Sequence, residues 1–227
     1  FVTNGEAELN ALYRNEIDER GELVFRYSTY RIGISGLGNN MTGWGTHFAD
    51  FDQDGDVDLM TVNGRVPVSN FASDAELVRF YGNMQEEGKP SQFREWTRPV
   101  GLHEDGVGPL LARGSAVADY DNDGDLDVAI NTIGGTPALL QNNNAAGNWL
   151  QIELDGFYPG AVVEVVLPDG RSLMREWLVG SSYLASEDSR LHVGLGEFDE
   201  AAWVRVTWRD GVWEETAVSA NQLITIP

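Results

Sequence analysis

Hydrophobic residues along this chain recur in short runs, mostly at every second position. Val57–Val62 alternates apolar and polar residues and is rich in β-branched side chains, and Leu126–Ile130 follows the same pattern. Both properties are typical of half-buried β-strands. No segment sustains the period of an amphipathic helix; Asp74–Tyr81 comes nearest and is short. The pattern predicts an all-β protein.

A second series of strand-like runs begins near residue 148, after an Asn-rich linker at 142–147. Turn sequences separate the runs, such as Pro-Asp-Gly at 168–170 and Arg-Asp-Gly at 209–211. The runs are Trp149–Leu154, Ala161–Leu167, Leu173–Val179, Leu191–Val193, Val204–Trp208 and Leu223–Ile226. We therefore expect a compact β-sandwich or barrel over residues 148–227, following a first domain at residues 1–143.

Landmarks of the first domain recur after 68 or 69 residues. The recurring pairs are Phe25-Arg26 and Phe93-Arg94, Gly33-Ile34 and Gly101-Leu102, Gly45-Thr46 and Gly114-Ser115, Ala49-Asp50 and Ala118-Asp119, and Val62-Asn63 and Ile130-Asn131. Val2–Gly5 resembles Thr61–Gly64, which indicates that the chain starts partway through an earlier copy. Repeats of a few strands are typical of β-propeller blades. We expect two full repeats and one truncated repeat, with the remaining blades supplied by upstream residues or by another chain.

Two Asp-rich loops occupy equivalent positions in these repeats. Asp50–Asp58 reads Asp-Phe-Asp-Gln-Asp-Gly-Asp-Val-Asp, and Asp119–Asp127 reads Asp-Tyr-Asp-Asn-Asp-Gly-Asp-Leu-Asp. Calcium takes about six to eight hard oxygen ligands. Carboxylates at the first, third and fifth loop positions converge if the chain turns sharply at the glycine in the sixth position. Each loop is predicted to bind one calcium ion.

Each loop offers carboxylate ligands at its first, third, fifth and ninth positions and a backbone carbonyl at its seventh. The predicted metal residues are Asp50, Asp52, Asp54, Asp56, Asp58, Asp119, Asp121, Asp123, Asp125 and Asp127. A solvated acidic turn without a metal is the alternative, but two such loops in one register argue against it. An EF-hand is disfavoured because its twelfth position requires Glu, where this chain has Thr61 and Ile130 in strand-like runs.

Composition limits the class of partner. The formal net charge is -21 and the chain has no cysteine. Nucleic acid and anionic membranes are therefore disfavoured, and disulfides and thiolate metal sites are excluded. No apolar stretch is long enough to span a bilayer. Because weak Asp-only calcium sites fill at extracellular calcium concentrations, we expect an extracellular or cell-surface location, with the periplasm as an alternative.

The loops and the C-terminal region resemble known families. Both loops, each followed by a short apolar strand, resemble the FG-GAP or VCBS repeats of integrin-α-like β-propellers. Residues 148–211 resemble the ASPIC/UnbV domain through Asn148-Trp149-Leu150, Gly180–Leu184 and the Leu-His-Val-Gly-Leu-Gly sequence at 191–196. The resemblance implies calcium ligands at the Asp residues of both loops. It implies no catalytic residues.

The sequence does not predict an enzyme. His47, His103 and His192 lack partners at metal-binding or acid–base spacing, so we expect structural or surface roles for them. The seven tryptophans are expected to pack in sheets, with a glycan-stacking platform as the alternative. We expect a secreted calcium-binding module for binding, adhesion or assembly, whose partner is a protein, a glycan or another copy of the chain. The alternatives are part of an extracellular enzyme, acting on polysaccharides or in natural-product biosynthesis, and a filament or surface-layer component.

Overall fold

The computed structural model describes residues 1–34, 38–84, 92–103, 106–143, 147–178 and 180–227. Every regular element in these ranges is a β-strand, so the all-β prediction is confirmed. The strands are β1 (Tyr13–Ile17), β2 (Leu23–Tyr27), β3 (Gly43–Ala49), β4 (Asp58–Asn63), β5 (Arg79–Asn83), β6 (Phe93–Glu95), β7 (Ala112–Ala118), β8 (Asp127–Thr132), β9 (Ala138–Leu140), β10 (Asn148–Leu154), β11 (Val162–Val166), β12 (Ser172–Glu176), β13 (Leu191–Gly196), β14 (Glu200–Trp208), β15 (Gly211–Ser219) and β16 (Gln222–Ile226). No helix able to cross a membrane occurs in the described part of the chain.

The chain forms two compact units, each assembled from separate stretches of sequence. The first comprises Phe1–His47, Asp58–Ser115 and Ile130–Ala138. The second comprises Phe48–Val57, Ala116–Ala129 and Leu139–Pro227. The second unit therefore contains the C-terminal strands together with the whole second Asp-rich loop and all of the first except Asp58.

Two sheets of the second unit pack around one core. The first sheet has the order β13-β10-β16, in which β16 runs parallel to β10. The second has the order β12-β11-β14-β15 and is antiparallel throughout. Leu150 and Ile152 in β10, and Val163 and Val165 in β11, are fully buried in the shared core. Because side chains alternate between the two faces of a strand, every second residue points into this core, as the sandwich prediction requires.

The strands around the two Asp-rich loops repeat at the spacing seen in the sequence. β3 begins at Gly43 and β7 at Ala112, while β4 begins at Asp58 and β8 at Asp127, so both pairs are 69 residues apart. The sheets here have the orders β3-β4-β5-β6 and β7-β8-β9, and β1 and β2 form a hairpin. The described strands close neither a barrel nor a propeller, so the propeller remains a prediction.

The predicted strand-like runs all appear as strands. Each strand-like run that the alternation singled out contains a strand, and the weak helical pattern at Asp74–Tyr81 gives no helix; β5 begins inside it at Arg79. The predicted runs did not include β1, β2, β3, β5, β6, β7, β9 or β15. Residues 144–146 of the predicted linker, and residue 179 at the end of a predicted run, lie outside the described residues.

The tryptophans are consistent with packing. All seven are buried or half-buried. Trp177 belongs to the core of the second unit, and Trp208 and Trp213 pack against that core. This burial favours the packing interpretation over an exposed glycan-stacking platform.

Candidate metal centre

The two Asp-rich loops each gather three carboxylates at one point. In the first loop, one carboxylate oxygen from each of Asp50, Asp52 and Asp54 lies within 4.8 Å of the others. In the second, Asp119, Asp121 and Asp127 meet the same condition. The first group uses the first, third and fifth loop positions, and the second uses the first, third and ninth. Together they cover the four carboxylate positions that the sequence predicts.

The same backbone conformation shapes both loops. Gly55 and Gly124 in the sixth position have φ of 98°, a backbone conformation that residues other than glycine rarely adopt. Gln53 and Asn122 in the fourth position also have positive φ, 62° and 60°. In each loop the glycine amide donates to the first Asp, at 3.0 Å to Asp50 Oδ2 and 3.1 Å to Asp119 Oδ2. The sharp turn at glycine is therefore present, as predicted.

The remaining acidic positions have other contacts. Asp58 Oδ1 accepts the Asn83 amide at 2.8 Å, and Asp123 Oδ1 accepts the Asp125 amide at 2.9 Å. The amide of Asp56 donates to Asp54 Oδ1 at 2.8 Å. Asp56 and Asp125 were predicted to act through their backbone carbonyls, and their carboxylates belong to neither three-carboxylate group.

Asp50 carries the strongest sign that a cation belongs in the first loop. Its side chain has 0% exposure, and its Oδ1 atom has no hydrogen-bond partner among the described residues. Burial raises the pKa of Asp50 to about 7, and Asp52 and Asp54 add to the shift, although Arg175 opposes it. The buried Oδ1 of Asp52 also lacks a partner in this part of the structure. A divalent cation would satisfy both oxygens, so the residues fit a metal site.

C-terminal residues of the second unit form hydrogen bonds with the first loop. The Gly194 amide donates to Asp50 Oδ2 at 3.0 Å, and the Arg175 guanidinium donates to the Gly55 carbonyl at 3.0 Å. Arg175 also lies 3.9 Å from Asp50 Oδ2. A Cβ atom at Gly194 would collide with Asp50 Oδ2 and with the Gln53 backbone. Only glycine at this point of β13 allows the strand to approach the loop so closely.

The second loop is held by β10, by β13 and by Arg190. Gln151 in β10 donates to Asp119 Oδ2 at 2.6 Å, and His192 Nε2 lies 2.8 Å from the Gly124 carbonyl. Arg190 donates to the Asp119 carbonyl at 2.7 Å. Burial lowers the pKa of His192 to about 4, so the ring is neutral near pH 7 and its Nε2–H donates to Gly124. The structural role expected for His192 is therefore a contact with the second Asp-rich loop.

Sequence reasoning missed these supporting residues. The Leu-His-Val-Gly-Leu-Gly sequence of β13 was noted without a role, although its His192 and Gly194 contact different loops. The sequence assigns no role to Gln53, yet it is 1% exposed and its side chain bonds to the second loop. The available signal was an uncharged amide among four acidic residues.

Two of the histidines, His47 and His192, have buried hydrogen-bond partners. His47 Nε2 lies 2.7 Å from Ser115 Oγ, and both residues are almost fully buried, at 2% exposure each. The groups of potential metal ligands in the described ranges contain aspartate alone. Oxygen-only, carboxylate-rich sites suit calcium, magnesium or manganese and disfavour zinc.

Comparisons with known proteins identify part of the chain. Residues 155–227 match the family model described as ASPIC and UnbV. Cartilage acidic protein 1 of Homo sapiens is 26% identical over 268 aligned positions, which cover 96% of this chain and 40% of that protein. The protein of the same name from Xenopus tropicalis is 28% identical over 239 positions, covering 81% of this chain and 36% of that protein.

The chain therefore contains an ASPIC/UnbV domain and is homologous, at low identity, to cartilage acidic protein 1. It spans about 40% of the length of the human relative.

Proposed function

We propose that this chain is an extracellular, calcium-stabilised module for binding or assembly, in which one calcium ion occupies each Asp-rich loop and has a structural role. The observation that carries this proposal is the buried, unpartnered Oδ1 of Asp50 beside Asp52 and Asp54. A buried carboxylate without a proton, a cation or hydrogen bonds is strongly destabilising. Calcium supplies the missing charge at neutral pH.

Calcium fits these loops better than the smaller magnesium ion. The ligands are carboxylates held by backbone amides within turns, and each loop also offers a seventh-position carbonyl. Calcium accepts six to eight such oxygens in an irregular arrangement, whereas magnesium requires near-octahedral geometry and retains several waters. Calcium sites of modest affinity are filled outside the cell. The relatives' name refers to cartilage and to acidity, which supports an extracellular location for an acidic chain of this kind.

The role we propose for calcium is structural because the loops connect packed elements. Each loop joins two strands, β3 to β4 and β7 to β8. The first loop bonds to Gly194 and Arg175, and the second bonds to Gln151 and His192. A cation in either loop would therefore stabilise strand ends and the C-terminal sandwich of the second unit together.

A calcium titration of thermal unfolding tests this proposal. Calcium at 100 times its dissociation constant adds about 2.7 kcal/mol per site to the free energy of unfolding, which raises the melting temperature by roughly 5–10 °C in a chain of this size. Magnesium at the same concentration should have a much smaller effect. Asp52→Asn and Asp121→Asn should each reduce the shift, whereas Asp210→Asn, which removes an exposed charge outside the loops, should not. Equal melting temperatures in chelator and in calcium would exclude the proposed role.

The assembly part of the proposal is supported by an exposed apolar face on the β1–β2 hairpin. Tyr13, Ile17, Leu23, Phe25 and Tyr27 share this face and are 44–67% exposed. The corresponding face of β5–β6, 68 residues later, is covered except at Glu95, which takes the place of Tyr27.

In that later repeat Tyr81, Asn83 and Phe93 are at most 8% exposed. Tyr81 and Phe93 pack with Ile32 and Ile34 in one cluster. The same residue types therefore stand buried in one repeat and exposed in the other. We propose that a further repeat of this kind, from the same protein or another chain, covers the β1–β2 face as part of a propeller.

Light scattering over a concentration series tests whether this face mediates self-association. If it does, the mass of the chain should rise with concentration, and Phe25→Ser with Leu23→Ser should return it to a monomer. Phe157→Ser, at a residue 76% exposed in the second unit, is the control. If the chain stays monomeric at all concentrations, self-association is excluded. The element that covers the β1–β2 face would then be a repeat from the same protein.

A further inference from the structure

Gln53 connects the two Asp-rich loops directly. Its side-chain amide donates to the Gly124 carbonyl at 2.9 Å and to Asp125 Oδ1 at 2.7 Å. Its Oε1 accepts the Gly147 amide at 3.2 Å. The residue is 1% exposed, so these bonds form away from water and are stronger than exposed ones. A residue of the first metal loop therefore fixes the turn of the second.

The strand β13 makes a second connection between the loops. Gly194 donates to Asp50 of the first loop, and His192, two residues earlier, donates to Gly124 of the second. The Gly196 amide also donates to the Gln53 carbonyl at 2.8 Å. Three alternate residues of β13, His192, Gly194 and Gly196, therefore contact the two loops.

The carbonyl of Gly124 is the point where the two connections meet. It accepts Gln53 Nε2 and His192 Nε2, which uses both lone pairs of the oxygen. The next residue, Asp125, also accepts from Gln53 and is the residue predicted to give its carbonyl to calcium. The sixth and seventh positions of the second loop are thus set by the conformation of the first.

We propose that the two calcium sites load with positive coupling and that Gln53 is the positioning residue that transmits it. This inference rests on the proposed calcium binding. A cation that draws Asp50, Asp52 and Asp54 together orders the backbone of the first loop and with it Gln53. The second loop then loses less conformational freedom when it binds its own ion, so its affinity rises.

The coupling is reciprocal, because occupancy of either site must favour the other by the same factor. Couplings between sites in proteins typically amount to roughly 5–150-fold in affinity. Repulsion between the two cations acts in the opposite direction, but the carboxylates around each ion neutralise most of its charge. We expect a net coupling inside that range.

The experiment is a calcium titration of three versions of the full chain by chelator competition. Asp52→Asn disables the first site and Asp121→Asn the second, at equivalent loop positions, so each gives the affinity of the other site alone. The product of the two calcium affinities in the unsubstituted chain, divided by the product of these single-site affinities, is the coupling factor. Repeating the set with Gln53→Asn should bring the factor to within about twofold of one.

Gln53→Asn is chosen because Asn also tolerates positive φ and is the residue at the equivalent position, Asn122. Its side chain is one methylene shorter and cannot reach Gly124. The control is Gln222→Asn, which makes the same substitution at an exposed residue outside both loops. This control should leave the coupling factor unchanged.

A second variant keeps the test independent of any loss of stability in the first. Gln53→Glu has the same length but places a carboxylate against the Gly124 carbonyl and the Asp125 carboxylate, so the coupling should fall below that of Gln53→Asn. Independent sites in the unsubstituted chain, or a coupling factor that neither variant lowers, would overturn the inference while leaving calcium binding intact. Absence of calcium binding in every version would instead refute the proposed function.

Discussion

At the scale of single residues, the two loops differ more than their sequences suggest. Asp50 and Asp119 hold the same loop position, yet Asp119 Oδ1 accepts the Asp123 amide at 3.1 Å while the corresponding oxygen of Asp50 has no partner within the described residues. Both residues are at most 2% exposed. The first loop therefore depends more strongly on a cation or a proton than the second.

The titration of Asp50 gives a prediction for the calcium-free protein. Its folded-state pKa of about 7 lies above the ordinary value of 3.8, so the folded chain retains a proton that the unfolded chain releases in this interval. The contribution of Asp50 to the free energy of unfolding is complete below pH 3.8 and is lost as the pH rises to about 7. Urea unfolding of metal-stripped protein over this interval measures the effect.

Asp50→Asn is the matched control, because an amide mimics the neutral acid at every pH. The unsubstituted protein should lose more stability than Asp50→Asn as the pH rises. Calcium reverses the direction, since protons compete with the ion, and calcium affinity should fall below about pH 7. Parallel pH profiles for the two proteins would show that Asp50 is ionised in the calcium-free folded state.

The loop aspartates could be predicted from sequence because their chemistry is local. Three carboxylates and a glycine within six residues leave few conformations that bring the oxygens together. The residues that support the loops could not be predicted in this way. Gln53 reaches Gly124 across 71 residues, and Gly194 reaches Asp50 across 144. No short-range pattern encodes contacts of that separation.

At the scale of elements, two hairpins with related sequences have opposite environments. β1–β2 exposes Phe25, at 66%, whereas β5–β6 buries the corresponding Phe93, at 8%. The sequences of the hairpins do not explain the difference, since Tyr13 and Tyr81 also correspond. Ile32 and Ile34, which pack with Phe93, account for the burial in the second case.

Alanine substitutions at these two positions should therefore have unequal effects. Phe93→Ala removes a buried ring and should lower the free energy of unfolding by about 3–5 kcal/mol. Phe25→Ala removes an exposed ring and should change it by less than about 0.5 kcal/mol in the monomer. Urea unfolding at low protein concentration compares them. A large loss in Phe25→Ala would mean that another element already covers its face in solution.

The central strands of the sandwich were largely predictable because they are short apolar runs rich in β-branched residues. β11 is a run of this kind, and its Val163 and Val165 lie in the core. β15 was missed because it lies at the edge of its sheet and is mostly exposed on both faces, with Glu214, Glu215 and Thr216 in its middle. An edge strand with polar residues on both faces lacks the two-residue period that identifies strands from sequence.

At the scale of the whole molecule, negative charge dominates. The formal charge is -21, and two calcium ions would reduce it to -17. The loops concentrate part of this charge in small volumes, where mutual repulsion of carboxylates opposes folding. The same acidity that disfavours nucleic acid therefore also lowers the free energy of unfolding, and bound cations would reduce this loss.

Sodium chloride should consequently stabilise the calcium-free protein. Raising ionic strength from 0.15 M to 1 M shortens the screening length from about 8 Å to about 3 Å and weakens repulsion between exposed carboxylates. The melting temperature in chelator should rise across this range, and the rise should be smaller in saturating calcium. An equal rise in both conditions would indicate a general salt effect with no contribution from the loops.

The contact between Asp50 and Gly194 also determines when the first loop can reach its final form. The two residues are 144 positions apart, and the Arg175–Gly55 contact spans 120. At typical synthesis rates of about 5–20 residues per second, Gly194 is made roughly 7–30 s after Asp50. During that interval a nascent chain carries its acidic loops without the strand that packs against them. Such long-range contacts also slow folding, so we expect the first Asp-rich loop to reach its final form late.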